Sequence, residues 1–145
     1  MVNRHLNDLL EVFSNSQDVK DNPLIYSFDN VIPANNSEEL LYGITIIQPG
    51  DINGEYYMTK GHTHQNTCAE VYFGLTGTGI VLCEKDGEVQ EYEISPDVLV
   101  YCQPGYAHRV INTSNEPLRF LCVCRADAGH NYEVVFNKKF YEKKV

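Results

Sequence analysis

The sequence lacks the long apolar runs that mark membrane-spanning and secreted chains. No stretch approaches the ~20 consecutive apolar residues that a transmembrane helix needs, and the N-terminus shows no signal-peptide core. Basic residues are also scarce, with 11 lysines and arginines against 20 acidic residues and a net charge of −9. Because this charge repels nucleic acid and anionic membranes, we expect neither as a partner, and we expect a cytoplasmic location.

Cysteine-pairing motifs are absent as well. The cysteines are five in number, which is odd, and they form no CxxC pair. Several lie in apolar, strand-like runs, where free cysteine behaves as a small hydrophobic residue. We therefore expect buried free thiols in a reducing compartment, at Cys68, Cys83, Cys102, Cys122 and Cys124.

The N-terminal segment carries the only helical pattern that we predict. At 145 residues the chain is expected to form one domain, over residues 1–145. Residues Arg4–Ser14 are predicted to form a short helix, because leucine and phenylalanine recur there at helical spacing. We place this helix and an extension in residues 1–30, and a barrel in residues 38–136.

Short β-strands make up the rest of the prediction, which is an all-β sandwich or small barrel. Asp86-Gly87 between two of them predicts a type I′ hairpin turn, and the lysine pairs 138–139 and 143–144 predict a solvated face. The strands are rich in β-branched and aromatic residues, and they span Leu24–Phe28, Leu40–Gln48, Glu55–Thr59, Glu70–Leu75, Gly79–Glu84, Val89–Ile94, Val98–Cys102, His108–Ile111 and Leu118–Cys124.

Three histidines and one glutamate form a candidate metal site. His62 and His64 are one residue apart, so in a strand their side chains point the same way. Glu70 can return on a neighbouring strand, and His108 can join from a distant one. Three imidazoles and one carboxylate suit a divalent first-row transition metal, which leaves Fe(II), Mn(II), Ni(II), Co(II) and Zn(II) open. The pattern contains no cysteine, unlike most structural zinc sites.

This pattern resembles the two-part signature of the cupin superfamily. The first part is His62-x-His64 with Glu70, and the second is His108-x3-Asn112. The resemblance implies a single cupin domain, a β-barrel of the jelly-roll type. Two glycines common in the family are replaced, by Tyr56 in the first part and by Asp97 in the second, and neither position is a ligand.

A narrower resemblance extends over nearly the whole chain. Thr59-Lys60-Gly61-His62-Thr63-His64 with Glu70-Val71-Tyr72 is similar to the signature of the cupin-type (archaeal-type) glucose-6-phosphate isomerases. So are residues 106–112 and 126–132. The resemblance implies a metal-dependent aldose–ketose isomerase, homodimeric and most often iron-loaded, that interconverts glucose 6-phosphate and fructose 6-phosphate.

Carried over residue by residue, the resemblance assigns a role to each site position. His62, His64, Glu70 and His108 would hold the metal. Glu70 would also move a proton between C1 and C2 of the sugar, with His130 beside it. The phosphate would be bound by Thr45, Thr59, the Gly61 backbone and Tyr72, while Tyr132 would lie near the sugar with His130.

The chemistry of isomerisation agrees with this assignment. An enediol route needs a base near C2, which a carboxylate supplies, and a Lewis acid for the developing oxyanion, which a divalent ion supplies. A hydride shift between C1 and C2 is the competing route. No Gly-rich phosphate loop is present, so hydroxyls and backbone N–H groups must bind the phosphate, with Lys60 and Arg125 as the nearest cations.

Two departures from the isomerase pattern bear on the substrate. The spacing from His64 to Glu70 is one residue shorter than the family's, and Cys124 stands where the family has a phosphate-contacting tyrosine. A thiol cannot donate as a phenol does. The alternatives are an isomerase for another sugar or sugar phosphate, a cupin dioxygenase, which would consume oxygen when iron-loaded, and a sugar-binding cupin, which would be stabilised by ligand without turnover.

Overall fold

Two antiparallel sheets pack face to face in this computed structural model, which describes residues 1–142. The larger sheet has the strand order β1-β2-β3-β11-β6-β9, and the smaller has the order β10-β7-β8. Strands β4 and β5 form a separate two-stranded ribbon. The strands are β1 Val2–His5, β2 Leu24–Val31, β3 Leu40–Ile47, β4 Asp51–Ile52, β5 Glu55–Tyr56, β6 Glu70–Thr76, β7 Gly79–Lys85, β8 Glu88–Ile94, β9 Leu99–Cys102, β10 Ala107–Asn112 and β11 Leu118–Arg125.

Alternation along each strand decides which side chains enter the core. On β11, Phe120, Cys122 and Cys124 are buried, while the residues between them are half-buried on the outer face. Ile47, Val81 and Ile111 are fully buried and fill the space between the sheets. The all-β prediction is therefore confirmed, and all nine predicted strands match observed ones within three residues at either end.

The predicted N-terminal helix over Arg4–Ser14 is wrong in extent. Only a single 3₁₀ turn, Leu6–Asp8, forms there, and the preceding residues pair with β2 as strand β1. Leu6 donates its N–H to Pro23 O, and Leu9 and Val12 donate theirs to Leu6 O and Leu9 O, so one long-range contact and isolated turns replace a helical ladder. Three of the four apolar residues behind the helix prediction, Leu6, Leu9 and Phe13, are buried even though the predicted helix does not form. The fourth, Leu10, is 48% exposed.

Several smaller predictions can also be compared with the structure. Asp86 and Gly87 both have positive φ values, 50° and 82°, as a type I′ turn requires. All five cysteines are free, and only Cys68 is half-buried rather than buried. Lys138 and Lys139 are exposed, whereas Lys143 and Lys144 lie outside the described residues. Within residues 1–142, no helix is long and apolar enough to cross a bilayer.

The N-terminal segment belongs to the larger sheet. Strand β2 pairs with β3 over Tyr26–Val31, and β1 pairs with β2. The extension predicted for residues 1–30 thus contributes two strands to the sheet that also contains β6 and β11. The single-domain boundaries remain a prediction.

Candidate metal centre and active site

The four predicted ligands reach one point from three parts of the fold. His62 and His64 lie in an irregular segment after β5, Glu70 begins β6, and His108 lies on β10. His62 and His108 form an isolated antiparallel bridge, in which each backbone N–H donates to the other residue's carbonyl at 3.1 and 3.0 Å. The predicted strands leave residues 60–69 out, and the chain here pairs through isolated bridges.

The ligand atoms converge on one carboxylate oxygen. Glu70 Oε2 lies 2.8 Å from His108 Nε2, 3.0 Å from His64 Nε2 and 3.7 Å from His62 Nε2. The four ligand atoms all lie within 4.8 Å of one another, and Glu70 and His108 are buried. Ligands at these separations can share a single cation at their centre.

Backbone carbonyls fix the orientation of two imidazoles. His108 Nδ1 lies 3.0 Å from Tyr106 O, and His64 Nδ1 lies 3.1 Å from Gly129 O. Because a carbonyl oxygen only accepts, each Nδ1 is the donor, which leaves the Nε2 atom of each ring as the one that can bind a metal beside Glu70. Metal-binding histidines are oriented in this way by a second hydrogen bond.

The charges and unpartnered atoms of the cluster fit a divalent ion. Burial lowers the pKa of His62 to about 4, so this ring is neutral, and its Nε2 is buried without a hydrogen-bond partner. Burial alone would raise the pKa of Glu70, but its close contacts with the His108, His62 and His64 rings hold this pKa well below its usual value. Neutral imidazole lone pairs facing an ionised carboxylate form a donor set that a divalent metal satisfies.

The predicted substrate residues surround a cavity above this cluster. Thr45, Thr59, Gly61, Tyr72, His130 and Tyr132 all line it, together with His62, Glu70 and His108. Among the predicted site residues, only His64 is not in the lining, and its side chain is 4% exposed. The structure therefore brings together every residue that the sequence assigned to the metal, the sugar or the neutral phosphate donors, while their individual roles remain predictions.

Two of these residues form a stacked pair beside the ligands. The rings of His130 and Tyr132 lie 5.7 Å apart and are tilted by 6°, and His130 is 4.4 Å from the His62 ring. Burial lowers the pKa of His130, which favours its neutral form. Tyr132 is 48% exposed, so it lies at the mouth of the cavity.

The two nearest cations differ in their placement. Lys60 lines the cavity, with its ammonium 5.1 Å from the Tyr132 ring and 3.1 Å from Glu11 Oε1. Arg125 instead pairs with Asp127 and does not line the cavity. Lys60 is therefore the lysine that can place positive charge near a bound anion.

Some cavity residues were not found from the sequence. Tyr26, Phe28 and Asn30 reach the cavity from β2, and Phe120 and Cys122 reach it from β11. The alternation of side chains along these strands predicts which side of each strand is buried. It does not show that the buried side is turned towards the metal ligands. Cys124 is buried on the same face of β11 but does not line the cavity.

The shortened segment between His64 and Glu70 is held by the chain before His130. Asn66 donates its backbone N–H to Ala128 O at 2.9 Å and its side-chain amide to Asp127 O at 2.6 Å. These contacts hold the segment against residues 127–129, next to the carbonyl that orients His64.

The fold and the site together define a cupin barrel with a His/Glu cluster that can hold a metal ion. An oxalate oxidase in complex with glycolate superposes with a TM-score of 0.64 at 12% identity, over 84% of this chain and 63% of the other. A cupin 2 conserved barrel domain protein from Salinispora arenicola superposes with a TM-score of 0.50 at 19% identity, over 69% and 75% of the two chains. These likenesses show the fold.

The sequence comparisons identify the family within this class. A family model described as glucose-6-phosphate isomerase (GPI) matches residues 4–141. A glucose-6-phosphate isomerase of Thermococcus kodakarensis is 34% identical over 94% of this chain and 76% of its own length. Another from Thermococcus litoralis is 38% identical over 81% of this chain, which spans only 63% of that relative. The chain belongs to the glucose-6-phosphate isomerase family, as the sequence motifs predicted.

Proposed function

We propose that this protein catalyses the metal-dependent interconversion of glucose 6-phosphate and fructose 6-phosphate. The observation that carries the proposal is the convergence of three imidazole Nε2 atoms on Glu70 Oε2, at a cavity lined by hydroxyl and imidazole groups. Its relatives carry the name of this activity. When bound, a divalent ion supplies Lewis-acid stabilisation of negative charge on the sugar oxygens.

Glu70 is proposed to transfer the proton between C1 and C2. Among residues 1–142, the histidine contacts of this carboxylate all go to Oε2, which leaves Oε1 to accept a substrate proton. The lowered pKa of Glu70 keeps it ionised and ready to act as a base. His130 and Tyr132 are proposed to contact the sugar from the mouth of the cavity.

The phosphate is proposed to lie against neutral donors, with Lys60 nearby. Thr59 Oγ1 accepts the N–H of Val110 at 3.0 Å, so its own hydroxyl proton is free to donate. Burial and the charge of Glu70 raise the pKa of Tyr72 well above its usual value, which keeps this phenol protonated as a donor. Thr45 and the Gly61 backbone complete the proposed phosphate site.

A coupled assay on metal-stripped protein tests the function directly. We expect no conversion of fructose 6-phosphate to glucose 6-phosphate without metal, and turnover when one of Fe(II), Mn(II), Ni(II), Co(II) or Zn(II) is restored, with Fe(II) the most effective. Activity that is independent of metal would contradict the proposal. Metal binding without turnover of this sugar would contradict the substrate assignment, and oxygen consumption by iron-loaded protein would indicate a dioxygenase instead.

We also propose that the protein is a homodimer that pairs through the outer face of the larger sheet. Cross-strand neighbours form two apolar rows there, which are Ile44, Leu121, Phe73 and Leu99, and Tyr42, Val123, Val71 and Tyr101. Leu99 and Tyr101 are 70% and 56% exposed at the β9 edge. A continuous apolar face of this kind is typical of an interaction surface.

Light scattering measures the predicted assembly. We expect a mass about twice that of the 16.5 kDa chain. Leu99→Lys should shift the mass towards that of one chain, because it places a charge in the apolar rows. Val89→Lys, at an exposed position on β8 in the other sheet, is the matched control and should remain dimeric. A wild-type mass of one chain would contradict the proposal.

A further inference from the structure

The last described residues form a strap, defined here as residues 131–142, along the segment that leads to His62. At one end, Thr63 and Asn131 exchange backbone hydrogen bonds of 2.9 and 2.8 Å. At the other end, Tyr56 donates to Phe140 O at 3.0 Å, and Glu142 donates to Gly54 O at 2.7 Å. The strap is thus fastened at both ends to residues 54–63, which pair with β10 through isolated bridges.

A buried carboxylate fastens the middle of the strap. Glu84, on β7, is 7% exposed, and its two oxygens accept the backbone N–H groups of Asn137 and Lys138 at 3.0 and 2.9 Å. Hydrogen bonds to an ionised group are stronger than neutral ones, and a buried charge needs such partners. The Glu84 side chain therefore binds the backbone of the strap, and this contact does not depend on the side chains of Asn137 and Lys138.

An aromatic ring of the strap packs on the residue before His62. The Phe136 ring centroid lies 4.1 Å from the Arg109 guanidinium carbon, and Arg109 donates from Nη2 to Lys60 O at 2.6 Å. A Cβ placed on Gly61 would lie 2.5 Å from the Phe136 ring, and Gly61 has a positive φ of 81°. Phe136 and Arg109 therefore contact the backbone of Lys60 and Gly61, the two residues that precede His62.

The strap also contributes a residue to the mouth of the cavity. Tyr132 is its second residue, and it stacks on His130, which immediately precedes the strap. Its ring also lies 5.1 Å from the Lys60 ammonium. Displacement of the strap would therefore disturb both the ligand segment and the cavity mouth.

We infer that the strap, latched by Glu84 and Phe136, is a positioning element that sets the metal-ligand segment and the substrate-facing Tyr132. Glu84, Arg109 and Phe136 are positioning residues, since none of them lines the cavity above the cluster. The part of the inference that concerns substrate rests on the proposed function, whereas the part that concerns His62 does not.

The test compares Glu84→Gln and Phe136→Leu with Val135→Ala, a strap position that is 85% exposed. In Glu84→Gln we expect hydrogen exchange at the Asn137 and Lys138 amides to become at least about tenfold faster, with the core amides of β11 unchanged. Co(II) affinity should fall about tenfold in both variants, as it does when the support of a ligand is removed. At saturating metal, KM for fructose 6-phosphate should rise about tenfold while kcat changes less. Val135→Ala should match the wild type in all measurements.

Each outcome decides a separate part of the inference. Unchanged exchange at the two amides would overturn the latch. Faster exchange with unchanged Co(II) affinity and KM would overturn the positioning role, because a merely destabilised protein loses active fraction without a change in KM. If the wild type does not isomerise fructose 6-phosphate, the proposed function fails, while the exchange and Co(II) measurements still decide the role of the strap. Phe136→Leu keeps most of the apolar volume, so it provides a second test if Glu84→Gln does not fold.

Discussion

Glu70→Gln is expected to lower kcat by about 10²–10⁴-fold, the usual contribution of a general base. Three histidines converge on Glu70 Oε2, and their proximity keeps the carboxylate ionised. An amide of the same size keeps an oxygen in place but cannot accept the substrate proton. We therefore expect a much smaller change in substrate binding than in turnover, when both are measured with the metal in excess.

The control for this variant is Glu93→Gln, at an exposed position on β8. It changes the net charge by the same amount and should leave kcat unaffected. Turnover in D₂O provides a second measurement, because a proton held by Glu70 can exchange with solvent, and deuterium at C1 or C2 of the product would exclude a pure hydride shift. Near-wild-type kcat in Glu70→Gln would exclude the base role and favour the hydride shift.

His108→Ala is expected to release the metal and abolish activity together. His108 Nε2 makes the shortest of the three contacts with Glu70 Oε2, at 2.8 Å, and its orientation is fixed by Tyr106 O. Loss of residues that only support a ligand lowers metal affinity by about 10–100-fold, so loss of a ligand itself should exceed about 100-fold. Elemental analysis after dialysis measures the metal content, and a coupled assay measures the turnover.

Thermal unfolding separates metal loss from misfolding in this variant. The wild type should be stabilised by added Mn(II) or Co(II), because a ligand that binds only the folded state raises Tm, whereas His108→Ala should show little shift. His5→Ala is the matched control, since His5 lies on β1 and is the one histidine of the five outside the site. A fully active His108→Ala protein that contains no metal would end the metalloenzyme proposal.

The metal ligands could be predicted because the spacing of their residues in the sequence forms a recognisable motif. His62 and His64 are one residue apart, Glu70 follows on the next strand, and His108 begins a predicted strand. The cluster also needs the two sheets to pack face to face, because Glu70 begins β6 in the larger sheet and His108 lies on β10 in the smaller one. The backbone at His62 is irregular, but the imidazoles of His62 and His64 both point at Glu70, as the ligand prediction requires.

The N-terminal helix was mispredicted because local spacing cannot show a distant partner. Leu6, Leu9 and Phe13 fit a helical stripe, but the residues just before Leu6 pair with β2 and the residues after it form short turns rather than a helix. The same reason hid the cavity residues of β2. Tyr26 and Phe28 alternate as a strand requires, and only the packing of the sheets shows which face looks onto the ligands.

The sequence by itself determined the family, the all-β fold and the identities of the candidate ligands, because periodicity and motif spacing are properties of neighbouring residues. Only the tertiary structure decided how those ligands are oriented and supported. The Gly129 carbonyl that orients His64 and the Glu84 carboxylate that holds the strap are joined to their partners by long-range contacts. Such contacts arise when buried polar groups must find partners during sheet packing, and no local pattern of residues specifies which partners they find.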